Sequence, residues 1–199
     1  MRKVYVERQD ALLCKMFVNN GWEVVKSIFD ADLLCVDGGD DVSPEMYFEK
    51  NVSSYSNEVR DIVTSGLMYI ATEVMSIPVV GICRGSQFMS AFNGGKVKQH
   101  IDGHGGSHNL DVVGVTFKVS STHHQEAIPN VPEYQIYRAE DGVVELTTYD
   151  EFNTGSVRMF GMQSHPEYFD VGHPNMNLFF GVLDQLFNSD SWPLLEKIK

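Results

Sequence analysis

The sequence of 199 residues predicts a three-layer α/β sandwich with a mostly parallel central sheet. Short apolar runs rich in β-branched residues alternate with segments of helical period, which is the pattern of this fold class. Residues 78–82 form a run that is too short and too uniformly apolar for a half-exposed strand, so they predict a buried central strand. No repeat or low-complexity linker interrupts the chain, and we expect one domain over residues 1–199.

The first half of the chain alternates predicted strands with predicted helices. Strands are predicted at residues 3–6, 22–25, 32–36 and 78–82. Helices are predicted at residues 11–19, 57–75 and 84–92, and Gly94-Gly95 ends the third helix. In the helix at 57–75 the apolar residues follow a 3.6-residue period, which predicts one buried face. That face consists of Val59, Ile62, Val63, Leu67, Ile70, Ala71 and Val74.

The second half predicts antiparallel strands at residues 111–120 and 134–148, followed by a further strand at 158–163. The last helix is predicted to begin near Pro174, because proline is favoured in the first turn of a helix. Its apolar face is formed by Met176, Phe179, Phe180, Leu183 and Phe187.

The composition excludes several classes of partner. The chain has 27 acidic and 15 basic residues, a formal charge of −12, and such a surface repels nucleic acid and anionic lipid. Three cysteines, an odd number without framework spacing, indicate a reducing compartment. The first residues lack the apolar run of a signal peptide, and no stretch approaches the ~20 apolar residues of a membrane span. We therefore expect a cytoplasmic protein that has no nucleic-acid or membrane partner.

The segment Gly-Ile-Cys-Arg-Gly-Ser-Gln at residues 81–87 places Cys83 between a buried strand and a helix. This is the arrangement of a nucleophile elbow, in which small residues such as Gly81 and Gly85 let strand and helix pack closely. The positive end of the helix macrodipole favours a thiolate at Cys83, and the backbone N–H of Arg84 is free to bind an oxyanion. Taken alone, the segment also fits a buried structural cysteine.

A base for that thiol is available in Gln-Ser-His-Pro-Glu at residues 163–167, after a predicted strand. A thiol nucleophile needs a base, and the base needs a third group that fixes its tautomer. On an extended segment His165 and Glu167 would share one face, because the strand period is two. The pair Gly38-Gly39 follows another strand and predicts backbone N–H groups at the same edge of the sheet, although an isolated Gly-Gly also fits an ordinary turn.

His100, His104 and His108 are spaced four residues apart, as metal ligands on a helix can be. The glycines between them disfavour a helix, and no cysteine or acidic cluster nearby in the sequence completes a site. We therefore expect no metal here. No phosphate-binding loop or Rossmann glycine fingerprint is present, so no nucleotide cofactor is expected either.

Four segments together resemble the motifs of class I, triad-type glutamine amidotransferases, in the order found in that family. Two are the segments at 81–87 and 163–167; the others, at 37–47 and 121–125, are similar to the branch of γ-glutamyl-γ-aminobutyrate hydrolases. The resemblance extends over residues 32–169 and implies the flavodoxin-like fold of the family. It also implies that Cys83 is the nucleophile, His165 the general base and acid, and Glu167 the orienting carboxylate. The remaining site residues it implies are Gly39 and Arg84 for the oxyanion hole, and Gln87, Ser121, Thr122 and His123 for substrate binding.

The function implied by this resemblance is hydrolysis of a small-molecule γ-glutamyl amide through a cysteine thioester, without a metal or organic cofactor. An alternative is a glutaminase subunit that passes ammonia to a separate synthetase bound in trans. A third interpretation is a catalytically silent binding module, against which the presence of Cys83, His165 and Glu167 argues.

Overall fold

The structure is a computed structural model, which describes residues 1–112, 114–130, 134–149 and 159–188. Its central element is a seven-stranded sheet. The strands of the chain are β1 (Lys3–Val6), β2 (Glu23–Val24), β3 (Leu33–Val36), β4 (Val79–Ile82), β5 (Lys96–Lys98), β6 (Gly106–Val112), β7 (Val115–Ser121), β8 (Glu126–Ile128), β9 (Tyr134–Arg138), β10 (Val144–Tyr149) and β11 (Met159–Met162). The α-helices are α1 (Ala11–Asn19), α2 (Glu58–Tyr69), α3 (Arg84–Phe92) and α4 (Pro174–Asn188).

The central sheet has the order β2-β1-β3-β4-β11-β10-β9. Its first five strands are parallel, and β10 and β9 continue it in antiparallel pairing. Two small antiparallel pairs, β5 with β8 and β6 with β7, lie outside the main sheet. The carboxyl ends of β3, β4 and β11 therefore meet at one edge, where ligands bind in open α/β folds.

Helices cover both faces of the sheet, so the predicted three-layer sandwich is confirmed. On one face α1 and α4 pack against β1 and β11 through a cluster of edge-to-face aromatic rings, which includes Phe17, Phe160 and Phe179. On the other face α3 contributes Phe88 and Met89 to a second core cluster. Alternate side chains of β3 and β4 thus enter separate cores, which explains why these two strands are apolar at every position.

Most predicted elements match the observed ones within a few residues. Each of the stretches at 111–120 and 134–148 includes parts of two antiparallel strands joined by a turn, with Gly114 at φ +76° in the first turn and Gly142 at +88° in the second. The strand predicted at 158–163 is observed at Met159–Met162, and Arg158 lies outside the described residues. Helix α4 begins at Pro174 as predicted.

The predicted buried face of the second helix is wrong for Val59, Ile62, Val63 and Val74, which are exposed, whereas Leu67, Ile70 and Ala71 do pack into the second core cluster. The helix α2 continues as a π-helical segment, Ile70–Met75, but its buried side chains include Arg60, Asp61 and Thr64. On the opposite side Val59 and Ile62 are 73% and 72% exposed. Periodicity locates an apolar stripe without identifying its partner, and here ion pairs bury the polar side of the helix instead.

Among the described residues, no helix has both the length and the apolar character needed to cross a membrane.

Candidate active site

Cys83 lies in a sharp turn between the end of β4 and the start of α3. Its backbone has φ 53° and ψ −110°, a conformation that residues other than glycine rarely adopt. Its N–H donates to the carbonyl oxygen of Met162 at 2.7 Å, and its own carbonyl accepts from Ser86 and Gln87 in the first turn of α3. The side chain is only 9% exposed. A strained turn stabilised by hydrogen bonds on both sides is what a nucleophile elbow requires.

Two glycines make this turn possible. A Cβ added to Gly81 would lie 2.5 Å from the carbonyl carbon and oxygen of Gly85. A Cβ on Gly85 would overlap the carbonyl oxygen of Val36 on the neighbouring strand. The predicted close packing of strand and helix at these two positions is therefore confirmed.

His165 follows β11 and faces Cys83 across the sheet edge. Its Nδ1 lies 2.6 Å from Oε1 of Glu167, which leaves Nε2 available to exchange a proton with the nearby Cys83 thiol. The ring of Tyr168 stacks on the imidazole with centroids 4.6 Å apart and planes inclined by 7°. A Cβ on Gly38 would come within 3.0 Å of Cε1 of His165. The absence of a side chain at Gly38 therefore lets the loop lie directly against the imidazole.

The route by which Glu167 reaches His165 differs from the predicted one. Residues Pro166–Tyr168 form a 3-10 turn rather than a continued strand, so the two side chains are not neighbours on one strand face. Proline begins the turn, and the chain folds back and brings the carboxylate to the imidazole. The prediction from the strand period was wrong about this local geometry, because a proline-initiated turn replaces the extended backbone there.

The electrostatics of the site favour a charged imidazole. Burial by itself would lower the pKa of His165, but the hydrogen bonds to Cys83 and Glu167 outweigh it and raise the pKa to about 10. His165 therefore holds a second proton at neutral pH, between an acidic orienting group and the thiol. That is the state needed to stabilise a thiolate and later to protonate a leaving amine.

The glycine loop after β3 is fixed by two arginines. The carbonyl oxygen of Gly38 accepts hydrogen bonds from Nη2 of Arg8 at 2.7 Å and from Nη1 of Arg60 at 3.0 Å. In a trans peptide the next N–H points opposite to the carbonyl, so the N–H of Gly39 points away from both guanidinium groups. Gly39 itself has φ +130°, which only glycine adopts readily.

Sequence reasoning missed a buried network of charges beneath this loop. Arg60, whose side chain is 6% exposed, bonds to Glu7 at 2.9 Å and to the carbonyl and carboxylate oxygens of Asp37. Arg84 pairs with Asp61 and donates to Thr64 at 3.2 Å. Burial and the adjacent Glu7 raise the pKa of Asp37 to about 6 although the arginines act in the opposite direction. The only signal in the sequence was the polar side of α2, which the apolar period obscured.

The four residues predicted for substrate binding have differently engaged side chains. Gln87 donates from Nε2 to the carbonyl oxygen of Gln125 at 3.2 Å, and Ser121 lies near the carbonyl of His104. The ring of His123 is fully engaged inside the protein, whereas Thr122 is exposed. The substrate-binding role of these residues and the oxyanion role of Gly39 and Arg84 stay predictions.

A second group of polar side chains contradicts the expectation that no acidic residue joins the spaced histidines. Glu145, fully buried on β10, contacts His104, His108 and His123, and we call these four residues the His–Glu cluster. The hydrogen bond to Glu145 dominates the shift that raises the pKa of His104 to about 9. His100 lies outside the cluster and pairs with Asp102.

Covalent labelling tests the reactivity of the elbow cysteine. A diazo-ketone analogue of glutamine is expected to modify Cys83, which sits beside His165 at the sheet edge, and to spare Cys14 and Cys35. Burial raises the pKa of both other thiols, so they stay protonated and poorly nucleophilic. Peptide mapping by mass spectrometry locates the adduct, with Cys83→Ser as the control. An adduct found mainly on Cys14 or Cys35 would contradict the assignment.

Comparisons with known proteins agree with this geometry. A family model for peptidase C26 matches residues 6–112. No curated protein sequence matches the chain significantly. A candidate GMP synthase subunit from Thermoplasma acidophilum has a TM-score of 0.64 at 18% identity, covering 90% of this chain and 91% of that one. A glutamine amidotransferase from Thermotoga maritima has a TM-score of 0.61 at 16% identity, covering 83% of this chain and 76% of that one. A chain in the structure of PurLQS from Thermotoga maritima has a TM-score of 0.61 at 15% identity, covering 92% of this chain and 98% of that one.

The structural likenesses, all below 25% identity, establish a shared fold. The sequence match goes further, because it covers just over half of the chain and includes both the elbow at Cys83 and the loop at Gly38-Gly39. The chain therefore belongs to the peptidase C26 family of cysteine-dependent amidohydrolases and has the fold of class I glutamine amidotransferases.

Proposed function

We propose that this protein hydrolyses γ-glutamyl amides by a Cys83–His165–Glu167 triad through a covalent thioester. The observation that carries the proposal is the position of His165 beside the elbow cysteine, with its Nδ1 2.6 Å from Oε1 of Glu167. Each group has one role in that order: nucleophile, proton carrier and orienting anion.

The proposed reaction has two halves. The Cys83 thiolate attacks the δ-carbonyl carbon of the γ-glutamyl amide, and the oxyanion is stabilised by the backbone N–H groups of Gly39 and Arg84. The C–N bond then breaks as imidazolium His165 gives its proton to the departing amine or ammonia. Water, deprotonated by His165, attacks the thioester, which releases glutamate and restores the Cys83 thiolate with protonated His165. The chemistry balances without metal or redox partner.

The acyl part of the substrate is proposed to lie against the first turn of α3 and the segment after β7. Gln87, one turn beyond the nucleophile, would contact the glutamine side chain. The backbone of Ser121, Thr122 and His123 would hold the amino-acid end, since two of these side chains are already engaged within the protein. A separate cavity of about 210 Å³ adjoins His165, Glu167 and Gly39, but neither Cys83 nor the proposed substrate-binding residues line it.

Two biological settings fit this chemistry. We favour a stand-alone cytoplasmic hydrolase of small γ-glutamyl amides, because the segments at 37–47 and 121–125 resemble the branch that cleaves such adducts. The second candidate is an ammonia-donating subunit that binds a synthetase. Its support is the similarity in fold to a chain of PurLQS and to a candidate GMP synthase subunit.

Steady-state kinetics on the isolated protein distinguish the two settings. A stand-alone hydrolase is expected to turn over at least one of glutamine and a set of γ-glutamyl amines efficiently with no partner, because its oxyanion loop is already anchored by Arg8 and Arg60. The measurement is kcat/KM for glutamate release, with Cys83→Ala as the blank. Negligible turnover of every substrate would reject this setting, and stimulation by an added synthetase would favour the second.

A further inference from the structure

Three residues of the His–Glu cluster, His104, His108 and Glu145, form a group that could hold a metal ion, and His123 adjoins it through Glu145. The Nε2 atoms of His104, His108 and His123 lie 2.9, 3.1 and 3.1 Å from the same oxygen, Oε1 of Glu145. The ligand atoms of His104, His108 and Glu145 are all within 4.8 Å of one another. In a tetrahedral zinc site, bonds of about 2.0–2.1 Å separate neighbouring ligand atoms by about 3.3 Å, which is close to these three N–O distances.

The hydrogen bonds of Nδ1 in His104 and His123 determine which ring nitrogen carries a hydrogen. Nδ1 of His104 lies 2.6 Å from a carboxylate oxygen of Asp141, and Nδ1 of His123 lies 2.8 Å from the carbonyl oxygen of Gln125. Both oxygens only accept, so each Nδ1 carries a hydrogen. Metal binding would displace any proton on Nε2, including the one in the His104–Glu145 hydrogen bond, and leave each ring neutral with its Nε2 lone pair directed into the cluster. Donation from the other ring nitrogen to a carboxylate or carbonyl is the usual outer contact of metal-bound histidine.

Hydrogen bonding within the cluster leaves buried atoms unsatisfied. Oε1 of Glu145 faces three imidazole nitrogens, while its other oxygen, Oε2, is buried with no hydrogen-bond partner. Nε2 of His108 is likewise buried without a hydrogen bond, despite its 3.1 Å approach to Glu145. A bound ion that accepts lone pairs would satisfy both atoms.

We propose that His104, His108, His123 and Glu145 bind a divalent transition-metal ion, and that the ion is Zn²⁺. Three imidazoles with one carboxylate suit zinc, and oxygen-only ions such as Mg²⁺ and Ca²⁺ do not favour this set. Four protein ligands close the coordination sphere, which is typical of a structural rather than a catalytic zinc. The ion therefore takes no part in the thioester reaction.

The location of the cluster gives the ion a positioning role. His108 is on β6, His104 precedes it and His123 follows β7, whereas Glu145 is on β10 of the main sheet. The ion would thus fasten the β6–β7 hairpin to the sheet. The same hairpin presents Ser120, whose hydroxyl accepts the backbone N–H of His165 at 3.3 Å.

Metal analysis of the purified protein is the direct test. Protein made without a polyhistidine tag in zinc-supplemented medium is expected to contain one zinc per chain by plasma mass spectrometry. After chelation and gel filtration, added Zn²⁺ is expected to compete with a chromophoric chelator and to raise the melting temperature. Wild-type protein that holds no zinc above the buffer blank, and that does not bind it in the competition assay, would overturn the proposal.

Four variants separate zinc binding from folding. His104→Ala and Glu145→Gln are expected to lose stoichiometric zinc, and Asp141→Asn to weaken the affinity about 10–100-fold as an outer-contact variant. His108→Ala, at a partly exposed ring, replaces any variant whose far-UV circular dichroism shows misfolding. The control is His100→Ala, outside the cluster, which is expected to retain wild-type zinc. Equal zinc in the cluster variants and the control would show that the ion is not held by the His–Glu cluster, and would overturn the proposal.

Discussion

Replacing Cys83 by alanine is expected to lower kcat/KM for γ-glutamyl amide hydrolysis by about 10⁴-fold or more. The reason is that the variant lacks the atom that forms the thioester, while the oxyanion donors and the substrate pocket remain. His165→Ala is expected to cause a loss of similar size, since the thiol and the imidazole act as one unit and their losses do not add. Glu167→Ala is expected to lose less, because an unoriented histidine can still accept the proton.

The measurement is glutamate release by each purified variant, with circular dichroism to confirm folding. Cys14→Ala is the matched control, since it removes a thiol from α1 and leaves the site intact. Full activity of a correctly folded Cys83→Ala or His165→Ala protein would contradict the triad. A double variant that lost far more activity than either single one would contradict the claim that the two act together.

Replacing Arg60 by alanine is expected to reduce the free energy of unfolding by about 3–5 kcal/mol, the typical loss when one partner of a buried ion pair is removed. Its guanidinium joins Glu7, Asp37 and the carbonyl of Gly38, and side chains at both carboxylates are at most 2% exposed. Without Arg60 the two carboxylates would remain buried close to each other. The glycine loop at Gly38-Gly39 would also lose one of its two arginine anchors, and if this loop forms the proposed oxyanion hole, activity should fall as well.

Urea denaturation followed by circular dichroism measures this loss. Lys96→Ala is the matched control, because Lys96 pairs with Glu49 at 3.0 Å on the surface and an exposed pair contributes about 0–1 kcal/mol. Losses of equal size in the two variants would refute the view that burial makes the Arg60 network critical.

The parts of the site that could be predicted from sequence are those contained in short segments. The elbow at Cys83 requires small residues at Gly81 and Gly85 within the same few positions, and a strand followed by a helix is visible on either side. His165 and Glu167 are two residues apart, so their proximity follows even though the local backbone was predicted incorrectly. In these cases the physical constraint acts between residues that are close in sequence.

What could not be predicted depends on contacts between distant segments. His104 and Glu145 are 41 residues apart, and only the packing of the β6–β7 hairpin against the β9 end of the sheet brings them together. The inward direction of Arg60 is a similar case. Helix α2 does have an apolar stripe, but the ion pairs of Arg60 with Glu7 and Asp37 bury its polar side. No local pattern in the sequence predicts which side of the helix is buried.

The backbone at Cys83 has a consequence for how such a chain can evolve. A non-glycine residue with φ near +53° carries strain of about 1–3 kcal/mol, which glycine at the same position would relieve. Selection for catalysis therefore favours cysteine at position 83, whereas selection for stability favours glycine there. A descendant that no longer needed the thiol would gain stability by drifting to glycine at position 83, so retention of a cysteine there is a sensitive marker of a lineage in which the chemistry is still under selection.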